Sequence, residues 1–353
     1  MTGWNLIDVL RIVMPLVGVT CAIVFVPWAW VWTWIAPLPN SVQEEVDTAI
    51  RRGLDGIIVD VERSGQTDRT YVAGWKDRDR QTPMGPNTLF KIASISKLYI
   101  AAATIKQVHL GALSLEDTLE TLLPSVADHI SNADTITLRM LLRHRSGIPN
   151  FTDDPEFSWT EPPTDTQSAI RLVFDDRARF PPDDRYQYSN TNYALIGEIL
   201  DKVLGYPHQQ YIREVLLQPL GLDQTFGQLS DVDQEVVASG YFHRYEPDLK
   251  ATDYVLPGGS MVATADDVSK FVRALVSGPV FSNEERLLYE AVYPYEHTGE
   301  LPGYQSIVRY HADLDAVVVQ LVNTNGGNTV MMHGATYRRI VKILRRTDTR
   351  RQD

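Results

Sequence analysis

A chain of 353 residues with 44% hydrophobic and 22% charged side chains has the composition of a globular protein, long enough for one large domain or two smaller ones, which excludes wholesale disorder. Its net charge of −12 argues against broad binding to a phosphate backbone, because an acidic surface repels nucleic acid. The single cysteine, Cys21, excludes an internal disulfide, and there is no Cys/His cluster with zinc spacing, phosphate-cradling glycine motif or internal repeat, so neither metal nor cofactor is expected.

From Ile12 to Trp34 the chain carries no charge, and these 23 residues exceed the ~20 that span a bilayer as a helix. Trp28, Trp30, Trp32 and Trp34 crowd the far end, as an interfacial aromatic belt does. Arg11 precedes the run, whereas Glu44, Glu45 and Asp47 follow it, a bias that puts the N-terminus inside and the bulk of the chain outside. A cleaved signal peptide is the rival reading, but its apolar core is shorter and no small-x-small site stands around Ile35 to Asn40. The expected organisation is a cytoplasmic segment 1–11, a single-pass anchor 12–36 in the cell membrane, a linker 37–42 with two prolines, an extracytoplasmic domain 43–347 and a tail 348–353.

Within the domain, Ser41 to Arg52 reads as a helix with Val42, Val46 and Ile50 spaced by four. Ile57 to Val61 and Thr70 to Gly74 read as strands joined by a Ser-Gly turn. A long helical pattern runs from Ala93 to Leu110, with Gly111 to cap it. The middle of the chain is helices and loops, clearest at Leu138 to Arg143, Thr191 to Leu204 and Thr264 to Val276, the last with Thr264 as N-cap. Two β-rich runs follow, Ser306 to Tyr310 and Ala316 to Val322, and then a basic amphipathic helix, Ala335 to Arg346. If the early and late strands share one sheet, the helical middle is an inserted lobe and the two lobes bound a cleft.

Three stretches carry residues suited to chemistry. In F-K-I-A-S-I-S-K, Ser94 and Lys97 stand at i and i+3 on one helix face, where Oγ and Nζ approach each other. A serine needs a base beside it to become a nucleophile, and a lysine serves only if burial or neighbouring cations lower its pKa. Ile92, Ile95, Leu98 and Ile100 offer that dry setting, and a helix N-terminus at Ser94 presents its N–H to a developing oxyanion. In Y-Q-Y-S-N-T-N-Y, Tyr188 and Asn190 flank Ser189 before a helix; a cation beside Tyr188 favours its phenolate, and Asn190 can fix Lys97 or a substrate amide. The alternative is an ordinary helix cap at Ser189 or Asn190. In H-T-G-E-L-P-G-Y, His297, Thr298, Gly299 and Glu300 lead into the strand at Ser306 and can line one wall of a cleft.

Taken together and in this order, the three stretches resemble the serine β-lactamase and penicillin-binding-protein family, nearest its class C β-lactamase, D-Ala-D-Ala carboxypeptidase and esterase branch. L-L-R-H-R-S-G-I-P-N (Leu141 to Asn150) and G-G-S-M-V-A-T-A-D-D (Gly258 to Asp267) extend the likeness, which covers Gln43 to Leu344. The resemblance implies an α+β fold of β-lactamase/transpeptidase type, an antiparallel sheet flanked by helices with an inserted helical lobe. It also implies an acyl-enzyme on Ser94, with Lys97 and Tyr188 sharing the proton work. By the same likeness Asn190 orients, His297 binds substrate or assists proton transfer, and the N–H groups of Ser94 and Glu300 form the oxyanion hole. Histidine at position 297 weakens a fixed positive anchor for a substrate carboxylate, so peptidase, amidase and esterase readings stay open beside β-lactamase. The expected partner is a small-molecule or peptide substrate; the alternatives are a carboxylesterase of the same fold and a non-catalytic penicillin-binding sensor or scaffold of the cell envelope. Specificity is expected from the loops Asn150 to Asp165 and Leu229 to Tyr254.

Overall fold

A computed structural model describes residues 6–25, 35–246 and 248–352. The N-terminal helix Leu6–Phe25 is 20 residues long with mean hydropathy 2.1 and no buried residue. At 1.5 Å per residue it is about 30 Å long, enough to cross the hydrocarbon core of a bilayer. It begins six residues before the uncharged run and carries Asp8 and Arg11, one turn apart and 3.9 Å from each other, on its surface. The four tryptophans of the expected belt, Trp28 to Trp34, lie outside the described residues.

The main sheet is built from both ends of the domain. Strands β1 (Gly56–Arg63), β2 (Arg69–Asp77) and β3 (Thr82–Pro83) come early, and three more come late. Four two-residue strands intervene: β4 (Phe90–Lys91), β5 (Thr225–Phe226) and β7 (Val262–Ala263) form a small sheet, while β6 (Tyr241–Phe242) pairs with the late β11 (Thr324–Asn325). The late members of the main sheet are β8 (Glu296–Leu301), β9 (Tyr304–His311) and β10 (Ala316–Val322), giving the order β3-β2-β1-β10-β9-β8. All neighbours in it are antiparallel, and Asp60 of β1 faces Val319 of β10. The early and late strands therefore share one sheet, and the segment between them is the inserted helical lobe.

Alternation along the strands explains the two layers. Ile57, Val59 and Val61 of β1, with Val318 and Val322 of β10, face the helix Val42–Arg51 and the C-terminal helix Thr329–Gln352. Ile58, Val317, Val319 and Leu321 face the helical lobe on the other side. A strand covered on both faces reads as A-V-V-V-Q-L-V, apolar nearly throughout. Glu45, fully buried, joins the two outer helices by accepting from Arg52 at 3.1 Å and from Arg339 at 2.8 Å.

In the lobe, the helix Ser96–His109 is buried on almost every side, as its Ala- and Ile-rich sequence requires. Its first expected turn is instead a 3-10 turn, Ala93–Ile95. Thr264 caps the helix Ala265–Ser277, accepting from the Asp267 N–H at 3.2 Å. The C-terminal helix is longer than its amphipathic stretch, running from Thr329 to Gln352. The H-T-G stretch is a strand in its own right, β8 at the sheet edge, rather than the approach to one.

Candidate active site

Ser94 sits on the 3-10 turn between β4 and the buried helix. The turn is sharp: Ala93 has φ 53, a left-handed conformation costly for a residue with a Cβ. One turn on, Lys97 is 1% exposed, and its Nζ lies 3.2 Å from Ser94 Oγ. Two carbonyl groups take its other directions, Asn190 Oδ1 at 2.9 Å and Gly258 O at 2.8 Å. The rings of Tyr188 and Tyr193 flank it at 5.1 and 5.4 Å. No acidic partner offsets its burial, which pushes its pKa down to about 7. Ile92, Ile95, Leu98 and Ile100 are all buried around this turn, as the dry setting requires.

The Tyr188 hydroxyl lies 2.8 Å from Ser94 Oγ. Burial pushes its pKa up to about 12, against a smaller lowering by the hydrogen bond to Ser94. This corrects the expectation of a favoured phenolate: excluding water from the phenolate outweighs the benefit of a nearby amine that is itself half-neutral near pH 7. Ser189 occupies the N-cap position of the helix Asn190–Leu204 but makes no capping bond; its hydroxyl donates to Pro149 O at 3.1 Å. Asn190 is the first helical residue, its N–H donating to Asn150 Oδ1 at 2.9 Å, so its side chain is left for Lys97.

On β8, His297 is half-buried. Its Nδ1 donates to Thr298 O at 2.5 Å, which leaves Nε2 as an acceptor in the neutral ring. Burial, and then the nearby Lys97, push its pKa down to about 3. It stacks on Tyr293 at 6.1 Å and stands 6.2 Å from the Tyr188 ring, so the pocket wall here is a neutral hydrogen-bonding group rather than a cation. Gly299 lets β8 run against the Ser94 turn: a Cβ there would lie 2.6 Å from Ile92 O and 2.9 Å from the Ala93 Cβ. The Tyr310 N–H donates to Tyr295 O at 3.1 Å, and Leu301 pairs with Tyr304 across a two-residue turn. In an antiparallel ladder bonded pairs alternate, so His297, Gly299 and Leu301 bond to β9. The N–H groups of Thr298 and Glu300 then point off the open edge of the sheet.

Ser94, Tyr188, Asn190, His297, Thr298, Gly299 and Glu300 all line one cleft of about 910 Å³. Both expected specificity loops contribute to it, Trp159 and Thr160 from one and Phe242, Tyr245 and Leu249 from the other. A second cavity of about 650 Å³ lies behind Ser96 and Gly258 and reaches neither Ser94 nor Tyr188.

Two neighbours of the site had no role assigned from sequence. The Gly258 carbonyl holds Lys97 from within the G-G-S-M stretch. His144, from L-L-R-H-R-S-G, is buried with its ring 4.5 Å from that of Tyr188 and accepts from the Ser189 N–H at 3.3 Å through Nδ1. Burial pushes His144 down to about 3, with Lys97 and His297 adding to the effect, so it braces the tyrosine as a neutral ring. The likeness of those stretches was the available signal.

The chain is similar to Protein flp of Staphylococcus aureus (strain COL), with 24% identity over 328 residues that cover 82% of the chain. It spans 64% of that relative's length. Among solved structures, D-amino acid amidase from Ochrobactrum anthropi SV3 superposes with a TM-score of 0.77 at 24% identity, covering 88% of this chain and 99% of the other. A class C beta lactamase from Rhodobacter sphaeroides superposes with a TM-score of 0.70 at 23% identity, over 87% and 100%. These superpositions show the β-lactamase/transpeptidase-like fold. The beta-lactamase family model matches residues 40–342, and the chain therefore belongs to the beta-lactamase family.

Proposed function

We propose that this chain is a membrane-anchored serine hydrolase that forms an acyl-enzyme on Ser94 with ester or amide substrates outside the cytoplasmic membrane. The observation that carries the reading is the geometry of Lys97. In its neutral form the amine has two N–H groups and one lone pair. Asn190 Oδ1 and Gly258 O accept the two N–H groups, which turns the lone pair toward Ser94 Oγ at 3.2 Å.

In acylation Ser94 Oγ attacks the substrate carbonyl carbon while its proton passes to Lys97 Nζ. The carbonyl oxygen, now an oxyanion, is met by the backbone N–H groups of Ser94 and Glu300. Tyr188, protonated at neutral pH, gives its hydroxyl proton to the leaving nitrogen or oxygen as the carbon–heteroatom bond breaks, and recovers a proton from Lys97. Water then attacks the acyl-serine and the same groups return the proton to Ser94.

The apolar, unburied helix Leu6–Phe25 supports the anchor, and Arg11 ahead of the uncharged run supports an inside N-terminus and an outward-facing domain. A neutral His297 favours amidase, peptidase or esterase chemistry over an efficient β-lactamase. A fluorophosphonate probe tests the nucleophile. Full-length protein is expected to be labelled and Ser94→Ala spared; equal labelling of both removes Ser94 from the reaction. Labelling without turnover of any p-nitrophenyl ester or amide would favour a sensor instead.

A further inference from the structure

The charges around the cleft are sorted by side. Among the described residues lining the 910 Å³ cleft there is no lysine or arginine, and Glu300 is the one carboxylate. Glu300 is exposed, and its Oε1 accepts from Asn325 Nδ2 at 3.3 Å. Asn325 is 2% exposed and held in turn by Leu301 O at 2.9 Å, so the carboxylate is oriented by a buried amide while Oε2 has no hydrogen bond among the described residues.

Glu300 also lines a smaller recess of about 60 Å³ together with Ser94, Asn190, Trp159 and Tyr254. Neither Tyr188 nor His297 reaches that recess; they line another, of about 460 Å³, with Arg143, Arg145, Arg309 and Glu296. Of those arginines, Arg145 pairs with Asp183 and Arg309 with Glu296. The leaving group must depart on the side of its proton donor, Tyr188, so the acyl group extends toward Trp159, Tyr254 and Glu300. There the Trp159 and Tyr254 rings stand 6.1 Å apart, with the Tyr254 hydroxyl donating to Trp159 O at 3.0 Å. Lys91 lies 5.5 Å from the Tyr254 ring but is buried, donating to Leu249 O and Thr252 O, and does not line the cleft.

We propose that Glu300, with the faces of Trp159 and Tyr254, forms a cation-binding acyl subsite that selects esters or amides whose acyl group carries an ammonium and disfavours those whose acyl group carries a carboxylate. The inference rests on the acyl-enzyme reading and adds the substrate class to it. A carboxylate attracts the ammonium, and aromatic faces attract it through their quadrupole.

Three p-nitrophenyl esters with matched chains test it on the full-length protein in detergent micelles: 5-(trimethylammonio)pentanoate, its neutral isostere 6,6-dimethylheptanoate, and the monoester of adipate. Wild-type kcat/KM is expected to favour the cationic ester over the isostere by about tenfold, and to place the adipate last. Glu300→Gln is expected to bring the cation-to-isostere ratio near one, and Glu300→Lys to reverse the order. A wild-type enzyme that treats the cationic and neutral esters alike overturns the subsite, as does a Glu300→Gln variant that keeps the preference. Failure of the nucleophile assignment looks different: Ser94→Ala would then turn over all three esters.

Discussion

Burying Lys97 without an acidic partner makes stability depend on pH in a direction that can be calculated. Its folded pKa is near 7 against 10.5 unfolded, so between those values the unfolded chain holds more protons than the folded one. Stability must therefore rise with pH across that window and be lowest below it, where a charged ammonium is held out of water. Integrating the proton difference from pH 7 to pH 9 gives about 2 kcal/mol, or about 4 °C in Tm for a domain of this size. Lys97→Met removes the titration. Its absolute effect is a poor readout, because the Asn190 and Gly258 carbonyls lose their donor at about 1–3 kcal/mol each while the ammonium penalty disappears. The slope is the clean quantity. Lys91, which burial also pushes down to about 7, is present in both proteins and cancels in the difference. Paired thermal melts of wild type and Lys97→Met at pH 7, 8 and 9 should show wild type gaining on the variant by that amount. In parallel, wild-type kcat/KM on a neutral ester should rise through an apparent pKa near 7 as Lys97 loses its proton. Melting curves that stay parallel would refute the depressed pKa, and with it Lys97 as the base.

Tyr188→Phe deletes the hydroxyl 2.8 Å from Ser94 Oγ while keeping the ring. Turnover of the neutral ester should fall by about 10²–10⁴-fold with Tm little changed, and a variant within threefold of wild type would take Tyr188 out of the proton path. Gly299→Ala drives a Cβ against Ser306 Oγ and to 2.6 Å from Ile92 O. The hydroxyl can rotate away but the backbone oxygen cannot, so β8 must move off the Ser94 turn. The expected result is a loss of about 1–3 kcal/mol by chemical denaturation together with reduced turnover; unchanged turnover would show that the close approach of β8 is dispensable.

What could be read from the chain beforehand follows the range of the interaction. Ser94 and Lys97 are three residues apart on consecutive turns, and β10 and the Thr264-capped helix announce themselves by apolar patterning and a cap, so each is visible in a short window of letters. The strand β8 is not, because E-H-T-G-E-L at an open sheet edge needs neither β-branched residues nor strict alternation. The phenolate expectation for Tyr188 failed for a related reason: the sign of its pKa shift depends on burial by distant chain segments, against which a neighbouring lysine counts for less. Lys97 shows the limit most sharply. One of the two acceptors that orient its lone pair is a backbone carbonyl 161 residues away, a group that every residue carries, so no side-chain letter reports it. Its one trace in the sequence is the residue that bears it. Gly258 has φ +80, and a Cβ there would come within 3.0 Å of Lys97 Cγ and 2.9 Å of Tyr193 Cβ. That glycine is the mark left in the sequence by a lysine that must be both buried and aimed.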